Sequence, residues 1–543
     1  MDATPPAIPP GPTRGARARA SLSRPAGAWA VVALGVLAAS IPAWLLADPL
    51  GHAALFGDDF AYAAEARDAP TLAAHILTPR NTHVVPLFRL WTFLLVTMAG
   101  RLANLPAVFA AASYFALVAA EAAVGSLVAR ATRSVAAGLA AMAVLGISTV
   151  IEPAVVWYSA GQALWAGTAV ALTLLAAESW RERGGGRRLA LVALGTVAAP
   201  AIWTGGLVAG PAAATLLWAD GRRAPRRAAL AILAIAAVVA ALLLGLARRQ
   251  VAEVVAGPGR RVPAPARAVE AVRSTSLAIP EVLILRNLGV DAALTPAQAA
   301  LLAGLVAAAW WRSSRRQPAS PPEAAGAVVV LFSYGMVYYF RGDMPYEDVR
   351  PVGWYHAIPQ VGAILFAAGW WSRTRKRTRS SVTGEIDLDR SPAPLTRRGG
   401  LAVLGLTLAL VALHEERAGR LFLVGAPPMS AAEAKRYASP RLRRQRALAH
   451  AAAHRDRQAR MLARLEEVER VGRRLGLGRE TIRRAFGRRL VPGLPDAQRE
   501  SDAAGLLALP AGDPATIGVD EVRRALDGLI AEEPPGPPPD PIP

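Results

Sequence analysis

The chain contains no cysteine and only two lysines, Lys376 and Lys435. Without cysteine it forms neither disulfides nor thiolate metal sites, which excludes a disulfide-stapled secreted scaffold and leaves cysteine usage silent on redox compartment. Charge is scarce as well. Over 543 residues, 19% are charged against 53% hydrophobic, and aromatics supply 6%. Those proportions exclude a disordered chain, which needs the opposite balance. No glycine-rich phosphate loop, Ser-His-Asp arrangement or zinc signature stands out, and the cluster Gly184-Gly185-Gly186 reads as a flexible turn.

What the sequence does have is apolar length. Blocks of about 15 to 25 residues almost free of charge alternate with short arginine-bearing connectors, the pattern of membrane-spanning helices and not of a soluble enzyme. The first expected span runs from Trp29 to Ala47, and others lie near 105–128, 135–151, 162–177, 188–203, 205–218, 228–247, 296–311, 325–340, 354–371 and 400–414. The first is long enough to span and no small-residue cleavage site stands out after it, so it is expected to be retained, not removed as a signal peptide. The reading is therefore an all-α integral membrane protein with about 11 transmembrane helices and a small C-terminal helical region. It divides into a disordered cytoplasmic tail at 1–27, a polytopic domain at 28–415, a C-terminal helical region at 416–533 and a proline-rich disordered tail at 534–543. No internal repeat is visible.

The 61 basic and 40 acidic residues leave a net charge of +21. Such a charge would suggest nucleic acid if it lay on one face. Here the arginines cluster in the N-terminal tail and in the connectors near 130–133, 181–188, 222–227, 312–316 and 373–398, and orientation in a bilayer explains them without a nucleic-acid partner. All these connectors are cytoplasmic together if 48–85, 152–161, 248–295 and 341–353 face outward. That parity holds only if 86–100 does not cross, so this segment is expected to be a juxtamembrane or partly inserted helix. The arginine and alanine bias fits a GC-rich bacterial genome, which places the chain in a bacterial inner membrane with a cytoplasmic N-terminus and an extracytoplasmic C-terminal region.

The first outer loop carries the strongest chemical signal. It opens on Phe56-Gly57-Asp58-Asp59-Phe60 and closes on His83-Val84-Val85-Pro86 before Arg89. Two carboxylates beside a membrane helix are expensive unless solvated, paired or used. One of them can cap the short helix expected near Ala61 while the other faces water, and His83 can simply end a loop where Pro86 starts a helix. The functional reading uses both elements: a boundary carboxylate takes a proton from an acceptor hydroxyl, and a nearby imidazole stabilises a phosphate leaving group.

In these elements the chain resembles the polytopic C-type glycosyltransferases, the group of protein O-mannosyltransferases and lipid A aminoarabinose transferases. Asp58-Asp59 matches the acidic pair of their first extracytoplasmic loop, and His83-Val84-Val85-Pro86 their His-x-x-Pro element; the further prolines of the mannosyltransferases are absent. The resemblance covers residues 28–180. It implies transfer of a sugar from a polyprenyl-phosphate donor to an acceptor hydroxyl on a lipid, glycan or protein at the outer membrane face, without a cofactor. Either Asp58 or Asp59 is then the catalytic base, with His83 and Arg89 beside the substrate.

Other outer segments offer further contacts. Glu152 and Gln162 flank Trp157-Tyr158, where an interfacial aromatic belt competes with sugar stacking. In 248–295, Arg248 and Arg249 directly follow an apolar span and suit a lipid phosphate, as Arg260 and Arg261 do if their loop closes over the site. The loop Arg341–Arg350 reads as a hairpin with internally paired charges; Asp343, Glu347 and Asp348 lack an established cation-ligand spacing, and no metal is expected. Met461, Leu465, Val468 and Leu475 recur at helical spacing and read as an amphipathic helix packing on its own neighbours. The competing functions are a multi-span transporter or lipid flippase, which would place polar sites near the midplane, and a non-catalytic scaffold for envelope assembly. Reporter fusions near Ser134, Gly221 and Ser380 should read cytoplasmic, and those near Glu65, Gly259 and Asp496 extracytoplasmic; a cytoplasmic reading at Asp496 alone would mean that 400–414 does not cross.

Overall fold

The computed structural model describes Ile41, Leu55, residues 58–80, 83–148, 150–219, 223–256, 263–288, 290, 293–315, 317–341, 344–383 and 401–409, with scattered positions between 445 and 466. Among the described residues the structure is helical, and the one extended pairing is an isolated bridge between Arg80 and His83. The first outer loop forms α1 (Asp58–Asp68) and α2 (Leu72–Leu77), and then α3 (Pro86–Ala99). Pro86 opens α3 with its φ already set, and Gly100 closes it at φ +64°. A bundle follows: α4 (Leu105–Thr132), α5 (Val135–Ile147), the short α6 (Glu152–Val156), α7 (Gln162–Arg183), α8 (Gly186–Ile202), α9 (Ala209–Trp218) and α10 (Arg223–Ala256). After α11 (Ala264–Ala278) come α12 (Pro296–Ser314), α13 (Pro321–Phe340), the single turn α14 (Tyr346–Val349) and α15 (Ala357–Thr383).

Among the described residues, four stretches are long and apolar enough to cross a membrane: Leu102–Thr132, Gln162–Arg183, Arg223–Arg248 and Pro321–Phe340. The other expected spans between 135 and 371 also fold as helices, with shifted bounds. The block at 205–218 starts as a 3-10 turn over Thr204–Val208 before α9. The block at 354–371 begins at Ala357 and continues to Thr383, because its arginine-rich end still has helix-forming residues. Expected loop 248–295 is largely helical: α10 runs on to Ala256 and carries Arg248 and Arg249, and α11 passes into a π-helical turn at Ile279–Leu285. Arg260 and Arg261 lie outside the described residues, as do nearly all of 29–47 and the domains at 1–27 and 534–543.

The core joins α4, α7, α9, α13 and α15 through small residues, among them Ala116, Ala120, Ala166, Ala212 and Ala325, which let helix backbones approach closely. The crossing of α13 on α15 is one of the tight ones. A Cβ on Gly326 would stand 2.6 Å from the Phe366 amide nitrogen and 2.7 Å from the Gly362 carbonyl. Glu323 of α13, fully buried, accepts both Nε and Nη2 of Arg373 on α15 at 2.9 and 2.8 Å, which locks the register of the pair. The outward faces are the reverse of a soluble protein's. The most apolar stretch, Arg223–Arg248, is also the least covered, with Leu230, Val238 and Leu242 more than half exposed.

The connectors sort onto two ends. At one, Arg130 pairs with Glu182 at 2.5 Å, Arg373 reaches the Gln317 carbonyl at 2.8 Å and Trp370 donates to Ser313 at 3.2 Å. Exposed Trp218 and Trp311 there lie under Arg226 and Arg315 at 5.6 and 5.2 Å, an aromatic ring beside cations as at a headgroup boundary. Gly184 and Gly185 turn this end at φ +63° and +96°, a conformation that side chains with a Cβ resist. The other end, about 40 Å away along α4, gathers the first loop, α6, Thr204 and the segment 341–356.

Candidate functional site

Asp58 and Asp59 occupy the first turn of α1, where carboxylates suit the positive end of the helix dipole. One residue apart, they point to different surroundings. Asp59 is buried and accepts the Ser159 amide at 2.7 Å, so it ties α1 to the second outer loop. Asp58 is part-exposed and pairs with Arg80 Nη2 at 2.8 Å. The sequence left this pair undivided; burial separates them.

Arg80 and Arg89 converge on Glu65, two turns after Asp58 on α1. Arg80 Nη1 donates to one carboxylate oxygen at 2.5 Å and Arg89 Nη2 to the other at 2.6 Å. Both guanidiniums also lie over the Tyr62 ring, at 5.2 and 5.7 Å. Burial pushes the Tyr62 hydroxyl well above its ordinary pKa although the two cations pull the other way, so the ring stays neutral and receives the guanidiniums on its face. Fully buried Arg89 donates to the His75 carbonyl at 3.2 Å, and its own carbonyl meets His75 Nε2 at 3.2 Å. Burial, with Arg89 beside it, lowers the His75 pKa. Glu65, Asp68, His75, Thr78 and Arg89 line a cavity of about 210 Å³, adjacent to Asp58 along α1 but not lined by it. Arg89, expected to touch substrate, both lines this cavity and is the inner bolt of a loop clamp.

His83 continues the site on its far side. Reciprocal backbone bonds of 2.8 Å hold Arg80 and His83 to each other, so the residue that pairs with Asp58 sets the position of the imidazole. His83 Nδ1 meets Thr204 Oγ1, from the turn before α9, at 2.8 Å. Burial first, and then the positive charge of Arg341, lower the His83 pKa to about 4. Arg341 lies over Tyr355 at 5.7 Å; Tyr355 stacks on Trp203 at 6.3 Å and packs against Trp354, which meets Trp157 edge-on at 4.7 Å. An imidazole, a cation and an aromatic wall from four separate segments therefore stand together.

The remaining expected residues fall variously. Tyr158 is a core residue and not a belt residue: its ring stacks on Phe109 at 3.8 Å and its hydroxyl meets Thr92 at 2.8 Å. Gln162 opens α7, and its buried Oε1 has no hydrogen-bond partner among the described residues. Glu152 opens α6, and its side chain lies outside those described. Arg248 is exposed on α10, which packs on α8 and α9; the side chain of Arg249 is not described. The arginine whose charge reaches His83 is Arg341. In the loop that holds it, Arg350 and Tyr346 bind Glu281 of the π-helical turn at 3.4 and 2.9 Å, which joins two segments distant in sequence. Glu347 and Asp348 are exposed, and Asp343 is outside the described residues.

Glu65 and Arg80 carried a faint signal, seven residues from Asp58 and three from His83. Thr204, Arg341 and Tyr355 carried none, since only folding brings them to a loop more than 100 residues earlier.

Glu65→Ala strands the buried Arg89 charge and should cost about 3 kcal/mol or more, seen as a lower Tm, while Glu65→Ala with Arg89→Met should recover part of it. His83 binds its proton more weakly folded (about 4) than unfolded (about 6.5). Its contribution is whole above pH 6.5 and is lost as pH falls toward 4, so in melting curves His83→Ala should flatten the slope of Tm against pH in that window.

The chain matches no family model, no curated protein and no solved structure, and the chemistry of the site rests on its own residues.

Proposed function

We propose that the protein is a membrane glycosyltransferase of about 11 spans that moves a sugar from a polyprenyl phosphate to an acceptor hydroxyl, with Asp58 as base. The observation that carries this reading is the difference within the acidic pair: Asp59 is buried and accepts the Ser159 amide, while Asp58 is part-exposed and is linked through Arg80 to His83. In the reaction the acceptor oxygen bonds to the anomeric carbon as the bond from that carbon to the phosphate oxygen breaks. The hydroxyl proton passes to Asp58, and the polyprenyl phosphate leaves with its electron pair. Arg341 faces the charge that grows on this phosphate. His83, neutral at pH 7, donates a hydrogen bond and does not compete with Arg341 as a second cation. Tyr355 and Trp354, backed by buried Trp203, give the sugar an aromatic wall. The donor tail remains in lipid beside the apolar outer faces of the bundle, which at a bacterial inner membrane places the reaction on the outer leaflet.

A transporter is the second reading, and Glu121 favours it. This carboxylate lies near the middle of α4, 2% exposed, with Oε1 unpartnered among the described residues. Buried acids inside spans commonly mark ion paths.

In vesicles given a polyprenyl-phosphate sugar, Asp58→Asn should lower turnover about 100-fold or more at unchanged Tm. Asp59→Asn should lower Tm first, because it loosens the Ser159 contact. Normal turnover in Asp58→Asn, with solute or lipid movement abolished by Glu121→Gln, would replace the transferase by the transporter.

A further inference from the structure

Three residues before Asp58, the backbone of Leu55 is held from the far end of the chain. Its amide donates to Gln458 Oε1 at 2.6 Å, and its carbonyl accepts from Gln458 Nε2 at 2.8 Å, so one side-chain amide satisfies both polar groups of a buried residue. Four residues on, Leu462 is fully buried among Phe60, Tyr62, Phe88 and Leu105. Four further on, Glu466 accepts the Leu102 amide at 2.8 Å, at the turn that leads into α4. The described positions from 445 to 466 are helical, and a spacing of four puts Gln458, Leu462 and Glu466 on one face. This face packs on the segments around α1 and α3; Met461, Leu465, Val468 and Leu475, expected to form the apolar stripe, lie outside the described residues.

We infer that this C-terminal helix returns to the Asp58 end of the bundle and braces the acidic pair through Gln458, so that the chain crosses the membrane an even number of times between Leu55 and Gln458. Its exposed arginines, such as Arg460, do not oppose this, because charge rules govern short connectors and long segments cross regardless. Gln458 is a positioning residue. It touches neither acceptor nor donor, but it fixes the backbone from which α1 starts, and a shift of about 1 Å in a reacting group can cost about 100-fold in rate.

The absence of cysteine makes every introduced thiol unique. Oxidation of Leu55→Cys with Gln458→Cys should form an intramolecular disulfide in membranes. A membrane-impermeant maleimide should label Arg460→Cys in step with Ala73→Cys of the first loop, and out of step with Arg187→Cys at the opposite end. Both tests stand whether or not the chain is a transferase. The positioning role rests on that reading: Gln458→Ala should lower kcat for sugar transfer about tenfold or more with KM for the donor unchanged. No disulfide, or Arg460→Cys labelling together with Arg187→Cys, overturns the brace. A disulfide with unchanged kcat in Gln458→Ala overturns the positioning role.

Discussion

Glu65 is the residue on which the first outer loop depends. A single carboxylate accepts two guanidiniums, Arg80 from the turn before α3 and Arg89 from within it. Removing it would leave a fully buried cation without its counter-charge, the costliest kind of loss in a low-dielectric setting. Through this clamp α1, the turn and α3 become one piece. Because Arg80 also holds Asp58 and pairs its backbone with His83, the clamp transmits its rigidity to both ends of the candidate site.

Behind the loop, the bundle supplies a platform built on different physics. Its helices meet through glycine and alanine, as at Gly326 and Gly362, and gain from close van der Waals approach where hydrophobic burial between helices would offer little in lipid. Charges inside it are matched: Glu323 takes Arg373 bidentately and also the Trp310 indole at 3.0 Å. The stretch around α10 turns leucine and valine outward, and it is long and apolar enough to cross a bilayer.

The two ends of the bundle divide the polar work. One collects arginine, tryptophan and short turns. The other collects an open carboxylate, a neutral imidazole, an arginine and stacked aromatics from the first loop, the Thr204 turn and the segment 341–356, with the C-terminal helix against its side. The proposed transfer of a sugar from a lipid phosphate to a hydroxyl needs such an edge, polar and structured.

Helical class, apolar blocks and their approximate limits were legible in the sequence because each is a local property: composition and spacing set them within 20 residues. So was the importance of the first loop, since Asp58-Asp59 and His83-x-x-Pro86 are contiguous motifs. The roles within it were not. Asp58 and Asp59 are chemically identical and adjacent, and the Ser159 amide, 100 residues on, makes Asp59 a tether while Asp58 stays part-exposed beside Arg80. Arg89 also binds Glu65 as a buried bolt, and Tyr158, expected to be interfacial, is core. Arg341 and Gln458 could not be nominated at all, because their partners His83 and Leu55 lie hundreds of residues away. Sequence alone determines which segments seek lipid and which chemistry is within reach; tertiary structure decides which carboxylate is buried and which is part-exposed, because burial and partners belong to space and not to order along the chain.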